Sequence, residues 1–209
     1  NSFTTQSDRP GRDRTFVQAG SVGIAANVSR EITLESITSL ARTTIDYSYD
    51  GDWGNPNLWA PYNPYDYFAD SFRSRNVAAQ ELRFRSNDGL YEHGKHWRWL
   101  VGGFAQELLE SSSIDQYFED FVYDEIDTRY KARTGAVFGQ VEAPLGYGRS
   151  LSVGGRFEQR NTRYFDSRTS NFSPTFSMVG GVVTYEYELS HAVRGYTSIS
   201  RGYKGGGFN

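Results

Sequence analysis

Hydrophobic and polar positions alternate with a period of two over much of the chain, most cleanly in its second half. From Gly135 to Leu145, Val137, Gly139, Val141, Ala143 and Leu145 share one parity, and Ala136, Phe138, Gln140 and Glu142 share the other. The pattern recurs with Leu151, Val153, Gly155 and Phe157 against Ser152, Gly154, Arg156 and Glu158. It recurs again with Val179, Gly181, Val183, Tyr185, Tyr187 and Leu189 against Thr184, Glu186 and Glu188. Earlier, Phe16, Val22, Ile24, Ala26 and Val28 share a parity, and Leu82 and Phe84 oppose Glu81, Arg83 and Arg85. A period of two is the signature of a β-strand with unlike faces. It predicts strands over 14–28, 31–46, 74–86, 96–108, 130–145, 150–163, 176–189 and 192–203. Alternation is weaker in 31–46 and 96–108, where Ile37 and Leu100 fall on the polar parity.

The connections sort by length. Those near 29–30, 87–95, 146–149 and 190–191 are short, and those over 47–73, 109–129 and 164–175 are long, in strict alternation. Tight turns at one end and long loops at the other suit the wall of a membrane-spanning β-barrel. Strand length points the same way: soluble strands usually have about five or six residues, whereas a tilted bilayer span needs about nine to eleven. The apolar parity is also rich in small residues such as Gly139, Ala143, Gly155 and Gly181. A close-packed interior would need more volume there, but acyl chains conform to any surface.

Composition sharpens this reading. Hydrophobic residues make up 37% of the 209 and the mean hydropathy is −0.62. No apolar run approaches the roughly 18 residues of a transmembrane helix. Barrel strands need only every second residue to be apolar. The 15 Tyr, 14 Phe and 4 Trp suit membrane interfaces, where a ring and its polar handle are both satisfied. There is no cysteine, hence no disulfide or thiolate metal site, and the net charge of −3 gives no pull toward nucleic acid. Residues Asn1-Ser2-Phe3-Thr4 do not open a leader peptide, so the expectation is a processed or internal segment.

Four stretches resemble the barrel domain of TonB-dependent outer-membrane receptors. They are Gln80-Glu81-Leu82-Arg83-Phe84-Arg85-Ser86, then Trp97-Arg98-Trp99-Leu100-Val101-Gly102-Gly103-Phe104, then the pair Ala136–Glu142 and Leu151–Glu158. The fourth, Ser200-Arg201-Gly202-Tyr203-Lys204-Gly205-Gly206-Gly207-Phe208-Asn209, is similar to the family's "SRGYKAGGFN" signature. The resemblance spans roughly 31–209. It implies an all-β, antiparallel transmembrane barrel wall: about eight strands of a larger barrel of about 22. It implies the outer membrane of a Gram-negative bacterium, with the long connections extracellular and the short ones periplasmic. Its implied function is TonB-energised uptake of a scarce nutrient such as a ferric siderophore. A plug domain and a TonB box are not read within residues 1–209 and are expected as partners outside them. Outer-membrane lipid, lipopolysaccharide and a small-molecule or metal-chelate ligand complete the expected partners, and no cofactor is implied. A passive porin-like channel and a soluble all-β carbohydrate-binding module are the alternatives.

Two groups of candidate functional residues follow. The connection 46–70 holds Asp46, Asp50, Asp52, Asp66 and Asp70 among many aromatics, with no Lys or Arg. Acids beside rings can receive cationic or planar groups, which makes Asp50, Asp52, Trp53, Trp59 and Tyr62 the ligand-contact candidates; a self-packed polar loop stiffened by Pro56, Pro61 and Pro64 is the plainer reading. On the polar strand faces, Glu81, Arg83, Arg85, Glu142, Arg156, Glu158 and Arg194 are expected to line a hydrated lumen. There they either contact a plug or solute or form cross-strand ion pairs. The segment 109–127 is acidic throughout and is expected to be solvated or to hold divalent ions. Asp50-Gly51-Asp52-Trp53-Gly54-Asn55 lacks the spacing of a calcium loop, which favours a turn. His93 and His96 are too few for a metal site. No catalytic triad, phosphate loop or carboxylate pair is present, and no enzyme is implied.

Overall fold

The structure, a computed structural model, describes residues 6–62, 66–87 and 97–206. It is one open antiparallel sheet. Its strands are β1 (Arg12–Asn27), β2 (Ile32–Asp50), β3 (Tyr67–Ser86), β4 (Arg98–Phe118), β5 (Phe121–Gly146), β6 (Arg149–Asp166), a two-residue β7 (Asn171–Phe172), β8 (Thr175–Ser190) and β9 (Val193–Arg201). Each long strand pairs with its neighbour in sequence, in the order β1-β2-β3-β4-β5-β6-β8-β9, and β7 pairs with β6 off that path. A short helix, α1 (Pro56–Trp59), lies in the β2–β3 connection. All eight expected strands are present, within the barrel-wall class the alternation predicted.

The strands run longer than expected, which revises the loops. The expected long connection 109–129 is strand almost throughout: β4 and β5 pair from Arg98↔Glu142 up to Phe118↔Phe121, leaving only Glu119 and Asp120 to turn the chain. Glu119 takes a positive φ of 54° there. Likewise β2 continues to Asp50 and β3 starts at Tyr67, confining that loop to 51–66. At the opposite end Tyr147 and Gly148 join β5 to β6, with φ of 53° and 68°. Positive φ at both central residues matches the right-handed twist of the flanking strands.

Register fixes the faces, because residues opposite one another share a side and successive residues alternate. One face carries Ile24 and Val22 on β1, Leu34 and Leu40 on β2, Phe84 and Leu82 on β3, and Trp99 and Val101 on β4. It continues through Leu145, Val141 and Val137 on β5, Leu151, Val153 and Phe157 on β6, Val183 and Val179 on β8 and Ile199 on β9. Most of these side chains are exposed, as with Ile24 at 65% and Ile199 at 81%. Among the described residues the buried apolar side chains are Ala69, Ala132, Ala136 and Met178, too little for a soluble core. An apolar face this continuous requires an apolar surrounding.

The apolar stretch occupies only the part of each strand nearest the tight turns. On β5 it runs from Leu145 to Gly135, after which the same parity carries Arg133, Lys131 and Arg129. Ten residue-to-residue steps at about 3.3 Å, tilted about 40°, give a band about 25 Å tall, the height of an outer-membrane barrel's apolar belt. Its turn-side border is aromatic, with Trp99, Tyr185 and Tyr187 on the apolar face and Tyr147 at the turn. Ile37 and Leu100 sit on the polar face, as their parity predicted.

Candidate functional site: the polar face and its rim

The polar face is held by ion pairs set by strand register. Arg85 on β3 donates to Glu35 on β2 at 2.7 Å. Arg83 pairs with Glu81, two residues away on the same side, and Arg98 on β4 pairs with Glu142 directly opposite on β5. Arg156 is the most connected. Its Nε and Nη2 donate to Glu158 at 3.0 and 2.8 Å, and its Nε also donates to the Tyr203 hydroxyl at 3.0 Å. Its guanidinium lies 5.2 Å from the Phe104 ring centre and 5.5 Å from that of Phe138. The Tyr203 hydroxyl in turn donates to Glu158 at 3.1 Å.

Two glycines make this cluster possible. A β-carbon at Gly102 would sit 2.5 Å from the Phe138 ring and 2.7 Å from the Leu82 carbonyl oxygen. One at Gly180 would sit 2.9 Å from the Tyr203 ring. Each aromatic ring therefore lies against bare backbone, which explains Gly102 and Gly180. Tyr203, from the "SRGYK" stretch, is here the tie between the end of β9 and β6.

Further from the tight turns the same face carries a second polar zone. Arg75 donates to Glu110 at 2.6 Å, and Arg73 lies 3.8 Å from the same carboxylate. Arg160 donates to the Tyr130 hydroxyl at 3.0 Å while its buried Nε has no partner among the described residues. Tyr164 stacks on Phe172 with ring centres 4.8 Å apart. The sequence reading missed this zone. Its signal was parity, since Glu110 and Tyr130 continue the even positions of β4 and β5.

At the loop end, two of the five ligand-contact candidates turn inward. Asp52 accepts from the Gly54 and Tyr67 amides, both at 2.8 Å, and from the Trp59 indole at 3.5 Å. Asp50 is 6% exposed and accepts from the Asp52 amide at 3.3 Å. Both carboxylates shape the loop and so form the turn that the spacing favoured. Trp59 is half-buried over Gly54, whereas Trp53 at 73% and Tyr62 at 78% exposure stand open to solvent. Residues 63–65 and the His93/His96 pair lie outside the described residues.

The acidity of the rim is met from a distance in sequence. Arg9 donates to Asp66 and to Asp120, both at 3.1 Å, and lies over the Phe68 ring. Arg12 donates to Asp70 at 2.7 Å and to Asp46 at 3.3 Å. Burial raises the Asp66 carboxyl above its ordinary range, Arg9 opposes that shift, and Asp8, Asp52 and Asp120 reinforce it. Asp166 goes the other way. Burial pushes it up, but hydrogen bonds from Ser170, the Arg168 amide and Tyr164 outweigh that and hold it below the ordinary range. The acids of 109–127 divide between the two faces of β4 and β5, and Asp124 pairs with Arg168 across the rim.

Of the residues expected on the lumen side, Glu81, Arg83, Arg85, Glu142, Arg156 and Glu158 share this face and are ion-paired. Arg194 shares it on β9, opposite Glu188.

No family model and no curated protein sequence matches the chain. Solved structures do. The chain superposes on the ferric yersiniabactin uptake receptor FyuA from Yersinia pestis with a TM-score of 0.69 at 15% identity, covering 89% of this chain and 28% of that one. The fold matches the barrel wall of TonB-dependent receptors. The unliganded ferric citrate transporter FecA gives 0.65 at 15% identity, over 89% of this chain and 27% of that one. The siderophore receptor PiuA from Acinetobacter baumannii gives 0.64 at 10%, over 90% and 33%. The chain thus spans about a third or less of each of these proteins.

Proposed function

We propose that the intact protein is an outer-membrane receptor of a Gram-negative bacterium that imports a scarce nutrient, a ferric siderophore or similar metal chelate, with energy delivered through TonB. The observation that supports this best is the division of the sheet into a 25 Å-scale apolar belt and an ion-paired polar face. Its likeness to three uptake proteins for ferric or siderophore ligands adds to it. In this reading the polar face lines the lumen and meets the plug, the tight turns are periplasmic, and the 51–66 loop is extracellular. Trp53 and Tyr62 are the loop residues placed to touch an arriving ligand. Asp50, Asp52 and Trp59 act by holding the loop's shape.

The test is uptake in a strain lacking the gene, complemented with wild type and supplied with labelled ferric siderophores one at a time. Uptake that returns with the gene and stops when the membrane is de-energised is expected. Uptake that persists after de-energisation would make the protein a passive channel. Recovery of the protein without detergent, outside the outer-membrane fraction, would overturn the membrane reading itself.

A further inference from the structure

The rim is tied together from outside the loops that form it. Residues 6–11, ahead of β1, lie against the end of β2 and along the 51–66 loop. Gly11 meets β2 so closely that a β-carbon there would sit 2.3 Å from the Ser48 carbonyl oxygen, and the Arg12 amide donates to the Ser48 hydroxyl at 2.9 Å. The Asp8 amide donates to the Gly54 carbonyl at 3.2 Å, and the Asn55 side chain donates to the Gln6 carbonyl at 2.7 Å. Arg9 extends the reach of this segment. One of its nitrogens, Nη2, donates to both Asp66 and Asp120, residues 57 and 111 positions away. Those acids belong to two different connections, β2–β3 and β4–β5, which also meet where the Glu119 amide donates to the Asp66 carbonyl at 2.8 Å.

Charge makes Arg9 the centre of this joint. Asp66 is crowded by Asp8, Asp52 and Asp120, whose charges oppose its ionisation. Among the described residues no other base pairs with an acid of the 51–66 loop or of the Glu119–Asp120 turn. The Arg9 side chain is 27% exposed and its guanidinium lies 5.8 Å from the Phe68 ring centre, which orients its donors. In the same loop Trp53 holds a positive φ of 57°, which bulky side chains rarely adopt, while standing open to solvent. Such a backbone persists only where its neighbours over-determine it. Here the next residue, Gly54, is held at both ends, its amide by Asp52 at 2.8 Å and its carbonyl by Asp8. We propose that Arg9 is the clasp of the rim, binding the segment ahead of β1, the 51–66 loop and the β4–β5 turn into one body with Trp53 held outward on it. In the receptor reading above, an arriving ligand meets that body already ordered, so the cost of ordering Trp53 does not fall on binding. The clasp itself stands without that reading.

The test is hydrogen exchange with mass spectrometry on the intact protein in detergent, read on peptides covering 51–62 and 115–123. Heat-modifiable gel migration confirms that each variant is a folded barrel. Arg9→Gln is expected to speed exchange in both peptides by about two- to fivefold, the range for loss of a partly exposed ion pair when exchange follows local opening. Arg9→Lys retains protection, since one ammonium can serve both acids as Nη2 does. Gly11→Ala removes no charge but pushes the segment off Ser48. It is expected to loosen the same two peptides and to add little to Arg9→Gln. Arg168→Gln, which releases Asp124 instead, leaves 51–62 unchanged. A folded Arg9→Gln variant that loosens one peptide alone, or neither, would overturn the clasp, as would full additivity of Gly11→Ala with Arg9→Gln. Failure of the wild type to migrate as a barrel would instead overturn the membrane reading.

Discussion

Placing an arginine on either face of β5 should separate the two sides of the wall. Val141 points to the apolar face, and its neighbour Gln140 points to the polar face and donates to Ser152 at 2.9 Å. The belt on β5 runs from Leu145 to Gly135, so Val141 lies four residues from one border and six from the other. At about 3.3 Å per residue and about 40° of tilt, that puts it about 10 Å deep, close to the middle of a 25 Å belt. An arginine on the lipid face near the midplane costs about 2–4 kcal/mol, falling to about 0–1 near the borders.

Val141→Arg should therefore destabilise the protein by about 2–4 kcal/mol, Leu145→Arg by about 1 or less, and Gln140→Arg by about 0.5 or less. Val153, directly opposite Val141, should behave like Val141. The measurement is reversible guanidinium unfolding of the intact protein in phospholipid vesicles. Equal penalties at 140 and 141 would refute the assignment of faces. A penalty at Leu145 as large as that at Val141 would refute the position of the belt.

Three further outcomes follow from the polar face and rim. Gly180→Val should displace Tyr203 from Arg156 and cost about 1–3 kcal/mol by overpacking, whereas Gly180→Val with Tyr203→Ala should recover part of it; unfolding midpoints decide. Asp166 has its folded pKa lowered, so its contribution is present above the unfolded value of about 3.9 and is lost as pH falls through the folded one. Amide exchange at Arg168 and Ser170 should accelerate only at such acid pH, and Asp166→Asn should remove that pH dependence. Asp66 has its folded pKa raised, so its contribution is present below the unfolded value and is lost as pH rises through the folded one. Arg9→Gln, removing a partly exposed pair worth about 0.5–1 kcal/mol, should loosen loop 51–66 at neutral pH and let it tighten again on acidification, as read by protease cleavage at both pH values.

The fold was legible because a barrel wall writes itself in its strand period. Leu145 to Val137 and Leu151 to Phe157 alternate because one side meets an apolar medium. The same physics explains the misreading of 109–129. Beyond the belt both faces of β4 and β5 are wet, so Glu110, Ser112, Asp115, Asp124 and Asp127 show no apolar parity although the hydrogen-bond ladder continues to Phe118↔Phe121. Polarity on both faces looks like a loop in one dimension. The rim was less legible for a different reason. Asp50 and Asp52 turn inward and Trp53 outward through local backbone geometry, and Arg9 reaches Asp120 across 111 positions of sequence. The parity of the lumen-side candidates located Arg156, but its contacts with Phe104, Phe138 and Tyr203 required the register of four strands.

The two faces of the wall change character at different places. The outward face switches abruptly at Gly135–Arg133, where the belt ends. The polar face does not switch there: Arg156 and Glu158 inside the belt give way to Arg160, and Tyr130, Glu110 and Arg75 follow beyond a row of Ala41, Val77, Leu108 and Ala132. If polarity on that side served only to keep the membrane-spanning part hydrated, nothing would require ordered Arg and Tyr pairs to persist where both faces are already wet. Their persistence implies polar contacts on that side beyond what hydration of the belt requires. Exposed Trp53 and Tyr62 stand at the rim, and the Arg–Tyr zone lies below them. The Arg156 cluster lies lower still, its guanidinium engaged by Glu158 and Tyr203. Binding groups are thus most available high on the wall and most occupied low on it.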